Sequence, residues 1–132
     1  MNTKLLMDDY CFACGNKNDN GLRLNILESP NGVKAAIRLP GWAQGYHKIV
    51  HGGIISTILD EVAVWAAYKS GYKSRTAELN VRIKKAMPID DKYIAQGMVV
   101  AVKHRLILAK SEIIDENNEV IALADVKLMR SE

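Results

Sequence analysis

Between His51 and Tyr68 the chain carries an apolar stretch with a carboxylate in its middle, and this stretch limits the folds open to the rest. Apolar residues at 54, 55, 58, 59, 62, 65 and 66 recur at the i, i+3, i+4 spacing of a helix face. Small or apolar residues also occupy much of the opposite side, so this helix must be wrapped on more than one side. It opens on the pair Gly52-Gly53 and stops at Ser70-Gly71, where Gly71 suits the left-handed residue that ends helices. About 17 residues of helix span roughly 26 Å.

Asp60 is the anomaly in this helix. Its same-face neighbours are Ser56, Thr57, Ala63, Val64 and Ala67, short side chains that leave space around it. An unpaired charge in such a setting costs several kcal/mol, so the position signals a raised pKa, a partner or a chemical role. The plainer alternative is that Asp60 and Glu61 mark the helix's polar edge.

With 132 residues, 48% apolar and 25% charged, the chain reads as one domain over 1–132, with an irregular lead-in over 1–21. Its net charge of +3 comes from scattered basic residues, and only 6% of residues are aromatic, so nucleic acid is not an expected partner. The charge suits a small anionic ligand. The first ten residues lack the apolar core of a signal peptide, and Asp60-Glu61 breaks the longest apolar run. No membrane span is expected, and the expected location is cytoplasmic.

Two cysteines, Cys11 and Cys14, give no disulfide framework. Cys11-Phe12-Ala13-Cys14-Gly15 is half of a zinc knuckle, but a structural zinc site needs four ligands. Thiolates pooled from two chains, or His47 or His104, would have to complete it. The expectation is a packed turn with free thiols, no metal and no cofactor.

Leu22 to Glu28 alternates as a strand, Ser29-Pro30-Asn31-Gly32 is a hairpin turn, and Val33 to Leu39 is its partner. An irregular segment leads into the helix. Beyond Gly71, Arg75 to Lys85 places Ala77, Leu79, Val81 and Ile83 on one face; Lys92 to Lys103, Leu106 to Ile114 and Val120 to Met129 supply three more strands. The order β-β-α-β-β-β-β predicts an α+β fold, an antiparallel sheet of about six strands on a single helix. One sheet face covers one side of a cylinder, so a symmetric homodimer is expected to supply the second cover.

These residues resemble the hotdog-fold acyl-CoA thioesterases of the phenylacetate-pathway type. The matching pattern is Gly45-Tyr46, then Val50-His51-Gly52-Gly53, the acid nine positions after His51, and Thr76-Ala77-Glu78-Leu79-Asn80-Val81 opening the next strand. The leader Cys11-Phe12-Ala13-Cys14-Gly15 with Asn18 and Gly21-Leu22 is similar to one seen in some members. The resemblance implies a sheet wrapped round a central helix, an acyl-CoA substrate, and a working unit of at least a dimer; a plain dimer and a tetramer built as a dimer of dimers both stay open.

A thioester hydrolase must stabilise an oxyanion and deliver a water to the carbonyl carbon. A glycine-opened helix suits the first task, because its first N–H groups are unpaired and no side chain blocks approach. By the resemblance, Gly52 is the donor, Gly53 shapes the turn, and Asp60 is the general base or the nucleophile. Asp60 lies nine residues after His51, roughly 13 Å from its own helix start, so one site must draw on two chains.

Thr76 matches the position whose hydroxyl orients the attacking water, and an ordinary strand threonine is the alternative. Gly45 stands where several relatives carry Asn or Gln, so that contact is either absent or replaced, with Gln44 as the candidate replacement; Val50 and Ser56 are further substrate-binding candidates beside the helix start. His51 would orient the loop. Arg82 and Lys84 are candidates for the phosphates of coenzyme A, or a solvated strand surface. Glu61 points about 100° from Asp60 and reads as a partnered structural acid. The rivals are a hotdog dehydratase using His47 and Glu61, which lacks that enzyme's Pro-Gly step, and a non-catalytic acyl-CoA sensor.

Overall fold

The computed structural model describes residues 5–131. The periodic stretch is a single helix, α1 (Gly52–Lys69), with Ile55, Ile58, Leu59, Val62, Ala63, Ala66 and Ala67 buried. It ends where Gly71 takes φ 95°. The strands are β1 (Leu27–Ser29), β2 (Gly32–Ile37), β3 (Ser74–Ile83), β4 (Tyr93–Lys103), β5 (Leu106–Ile114) and β6 (Val120–Arg130). They form one antiparallel sheet in the order β1-β2-β4-β5-β6-β3. This is the hotdog arrangement, the α+β fold expected from the element order.

The helix lies across the sheet with β4 beneath it. Alternation along β4 turns Tyr93, Ala95 and Gly97 inward. A Cβ on Gly97 would sit 2.3 Å from the Val62 carbonyl oxygen, so glycine is what lets the helix lie this close to the strand. Ile37, Ile107, Ile113, Val126 and Leu128 close the core from the neighbouring strands. At the far end, Lys69 Nζ donates to the carbonyls of Ser29 and Gly32, tying the β1–β2 hairpin to the last helical turn.

Two expectations about strands need correction. Of Leu22 to Glu28, only the end at Leu27 belongs to a strand. Leu24 is buried as its alternation predicts, but the backbone N–H groups of Leu22 and Leu24 donate to the carbonyls of Phe12 and Ala13 in the lead-in. Arg23 takes φ 52°, which interrupts the extended run. Period-2 burial requires only alternating exposure, and here a non-sheet segment supplies it.

The second correction concerns β3. Its apolar row is only partly covered within the chain: Val81 packs against the core, whereas Leu79 and Ile83 are 36% and 45% exposed. A bulge between Thr76 and Glu78 leaves Ala77 outside the ladder. Among the described residues β3 pairs with β6 only, so its other edge presents unpaired backbone groups. No helix in the described residues is long and apolar enough to cross a membrane.

Candidate active site

His51 precedes the helix in extended backbone, and its Nδ1 accepts the Gly53 N–H at 2.8 Å. A nitrogen that accepts carries no proton, so Nδ1 is engaged with the backbone and Nε2 is the ring nitrogen left for other contacts. The His51 carbonyl takes the N–H groups of Ile54 and Ile55. Of the first helical donors, the Gly52 N–H is the one left without a partner among the described residues. The loop before it is pinned: Gln44 Oε1 accepts the Lys48 N–H at 3.0 Å, His51 N–H donates to Ala43, and Val50 N–H donates to Met87. An unclaimed N–H at the positive end of a helix dipole is thus held in a loop fixed by hydrogen bonds.

Eight residues further on, Asp60 is half-buried on the face toward β3. Thr76 Oγ1 donates to its Oδ1 at 2.5 Å. Burial raises the Asp60 pKa above the ordinary aspartate value; the Thr76 hydrogen bond opposes this and the Glu61 charge adds to it. The result is a carboxylate more basic than usual, next to a hydroxyl that can orient a partner.

These two halves are separate within one chain. Eight helical rises put Gly52 and Asp60 about 12 Å apart. They sit behind opposite ends of β3: Thr76 contacts Asp60, whereas Ile83 Cδ1 lies 3.5 Å from where a Gly52 Cβ would be. Arg82 and Lys84 flank Ile83 and are exposed. Ser56 is partly buried and returns its hydroxyl to the Gly52 carbonyl at 3.0 Å. Val50 is 4% exposed and packs in the core, so its side chain offers no surface to a ligand in the single chain.

Glu61 faces away from Asp60, toward the lead-in. Its Oε2 accepts from Cys11 Sγ and from the Trp65 indole N–H, each at 3.3 Å. Burial first, and then a hydrogen bond with Glu61, pushes the Cys14 thiol up. The Glu61–Trp65 contact was visible as an i, i+4 pair, but nothing in the sequence joins position 11 to position 61. His47 is exposed on its loop, and the groups against Glu61 are Cys11 and Cys14 of the lead-in and Trp65 of α1.

Comparison with known proteins gives a family and a fold. Residues 47–122, more than half of the chain, match the thioesterase superfamily. No curated protein matches. Among solved structures, that of RHA08564, a thioesterase superfamily protein, has a TM-score of 0.87 at 22% identity; it covers 92% of this chain, which spans 60% of its length. The PaaI protein from the phenylacetic acid degradation operon of E. coli has a TM-score of 0.76 at 17% identity, covering 83% of this chain and 84% of that one. The smu.793 protein from Streptococcus mutans UA159, bound to acetyl CoA, gives 0.75 at 15% identity, covering 83% and 91%. With the matched segment running from the loop before the helix start through Asp60 and Thr76, this chain belongs to the thioesterase superfamily.

Proposed function

We propose that the protein is a cytoplasmic homodimeric enzyme that hydrolyses an acyl-CoA thioester to the free acid and CoA. The observation that carries this is the placement of an unclaimed Gly52 N–H and a Thr76-bonded Asp60 behind opposite ends of an unpaired edge strand. If β3 pairs antiparallel with β3 of a second copy, the Thr76 end of one strand meets the Ile83 end of the other. Asp60 of one chain then approaches the helix start of its partner, and two equivalent sites form about the two-fold axis. The exposed Leu79 and Ile83 are covered in the same step.

The substrate carbonyl oxygen accepts from Gly52 N–H, and the helix dipole favours the charge that develops there. Asp60 takes a proton from a water held beside Thr76, the hydroxide adds to the carbonyl carbon, and the C–S bond breaks. The sulfur leaves as the thiol once a proton is returned, so acid and CoA are the products. Gly53 shapes the helix start and keeps its N–H on His51, which serves as the cap. Arg82 and Lys84 bring positive charge to the Gly52 end, where CoA phosphates would approach; a hypothetical thioesterase protein of the same fold from Streptococcus pneumoniae TIGR4, with coenzyme A, is consistent with that ligand class. Ile94 and Met98, exposed on the face of β4 turned away from the helix, fit a dimer of dimers.

The test is thiol release from short, medium, long and aromatic acyl-CoAs, with Asp60→Asn as comparison. Turnover lost by about 100-fold or more in the variant supports the assignment. A folded dimer that binds acyl-CoA and releases no thiol would replace it with the sensor.

A further inference from the structure

Hydrolysis leaves one cluster of reactive side chains unused. Cys11 and Cys14 of the lead-in and Glu61 of α1 bring their sulfur and oxygen atoms within 4.8 Å of one another. The turn that carries the thiols is shaped like a metal knuckle. Cys14 N–H points at Cys11 Sγ at 3.5 Å, and Gly15 N–H donates to the Cys11 carbonyl at 2.9 Å. A Cβ on Gly15 would lie 2.4 Å from the Cys11 nitrogen, so the closed turn requires glycine. Both sulfurs are thereby offered to the point where Glu61 arrives from the helix.

The surroundings fit a ligand set more than a buried pair of thiols. Trp65 Nε1 donates to Glu61 Oε2, the kind of outer contact that orients a ligating carboxylate. The cluster opens onto a groove of about 910 Å³ lined also by Tyr10, Trp65, Tyr68 and Ser74, which gives an ion a way in. The Ser74 hydroxyl is buried without a partner among the described residues. Two soft sulfurs and one carboxylate, with room for a fourth ligand, match the preferences of zinc-class ions.

We propose that Cys11, Cys14 and Glu61 bind one zinc-class divalent cation, which pins the lead-in turn to the central helix and takes its fourth ligand from solvent in the groove. The half knuckle thus finds its third ligand fifty positions away, on the helix. Binding exchanges two thiol protons for the metal: the ion joins two thiolates and the Glu61 carboxylate, and two protons leave. A cation also relieves the crowding of three groups that are anionic when deprotonated.

Cobalt(II) added to metal-stripped, reduced protein is the probe. The expected result is one equivalent bound, with thiolate-to-cobalt charge-transfer absorption, tetrahedral d–d bands, two protons released, and both thiols shielded from alkylation until a chelator is added. Zinc should displace the cobalt. Cys14→Ser should lose most of the charge-transfer intensity, Glu61→Gln should weaken binding by about 100-fold, and Trp65→Phe by about tenfold. Absence of the cobalt spectrum from folded, reduced wild type overturns the proposal, as does undiminished affinity in Glu61→Gln. If a variant fails to fold, the alkylation shielding of the wild type decides.

Discussion

Thr76 on the edge strand donates its hydroxyl to Asp60 on the central helix across 2.5 Å, so the strand restrains the basicity that burial gives the helix carboxylate. Thr76→Val keeps the branched shape and removes the donor. Because this hydrogen bond holds the Asp60 pKa down, its loss should move the acid limb of the pH–rate profile upward and cut the plateau rate by about tenfold or more. Thr76→Ser should restore both. The measurement is thiol release as a function of pH.

The same raised pKa fixes the sign of a stability effect. Above the ordinary aspartate value the unfolded chain has released a proton that folded Asp60 still holds, so this group's contribution falls as pH rises through that window and stays unfavourable at neutral pH. Asp60→Asn, which still accepts from Thr76, should be more stable than wild type at pH 7. The advantage should vanish in acid, where Asp60 is protonated in both states. Urea unfolding at the two pH values checks this, and an advantage that persists in acid would remove titration as its cause.

A shared site predicts complementation. Gly52→Pro removes the N–H at a first helical position that tolerates proline, behind a His51 whose φ of −61° and ψ of 135° suit a residue before proline. Gly52→Pro and Asp60→Asn should each be inactive alone. After unfolding and refolding together, random mixing makes half of the dimers mixed, with one intact site of two, so about a quarter of wild-type activity returns. No recovery from well-mixed dimers would place both groups in one chain's site.

The β3 edge gives a prediction about assembly. Leu79 is 36% exposed in the single chain, so Leu79→Lys should cost the monomer little, within about 0.5 kcal/mol. In a dimer paired through β3 it would place two like charges near the axis. The expected outcome is a monomer in sedimentation, with thiol release lost in parallel; an active monomer would contradict the shared site.

Gly97 tests the packing. Gly97→Ala would drive a methyl group to 2.3 Å from the Val62 carbonyl, a backbone atom that cannot step aside without moving the helix. The cost should be about 3 kcal/mol, read as a shift in the urea midpoint. A near-neutral result would mean that the helix rides more loosely on β4.

Much of this was legible in the chain itself, because the signals are local. The i, i+3, i+4 recurrence gave α1, Gly71 its stop, and alternation bounded by turn residues gave β4, β5 and most of β2, β3 and β6. Position 60 stood out because a carboxylate among Ser56, Ala63 and Ala67 is a local contradiction. From these, with the resemblance they carry, the hotdog fold and the thioesterase family followed.

What the tertiary structure decided is partnership, which periodicity cannot encode. Leu24 alternates as a strand residue does, yet its segment bonds to the lead-in turn, since burial fixes exposure and leaves the hydrogen-bond partner open. The apolar row of β3 reads as a core face but leaves Leu79 and Ile83 exposed, because it lies at the sheet's edge. Gly52 and Gly53 look alike in sequence, and His51 caps one and leaves the other free. Cys11 and Glu61 meet because the lead-in packs against the helix, a contact between residues fifty positions apart whose energy comes from burial shared by many side chains and is written in no short stretch of either segment.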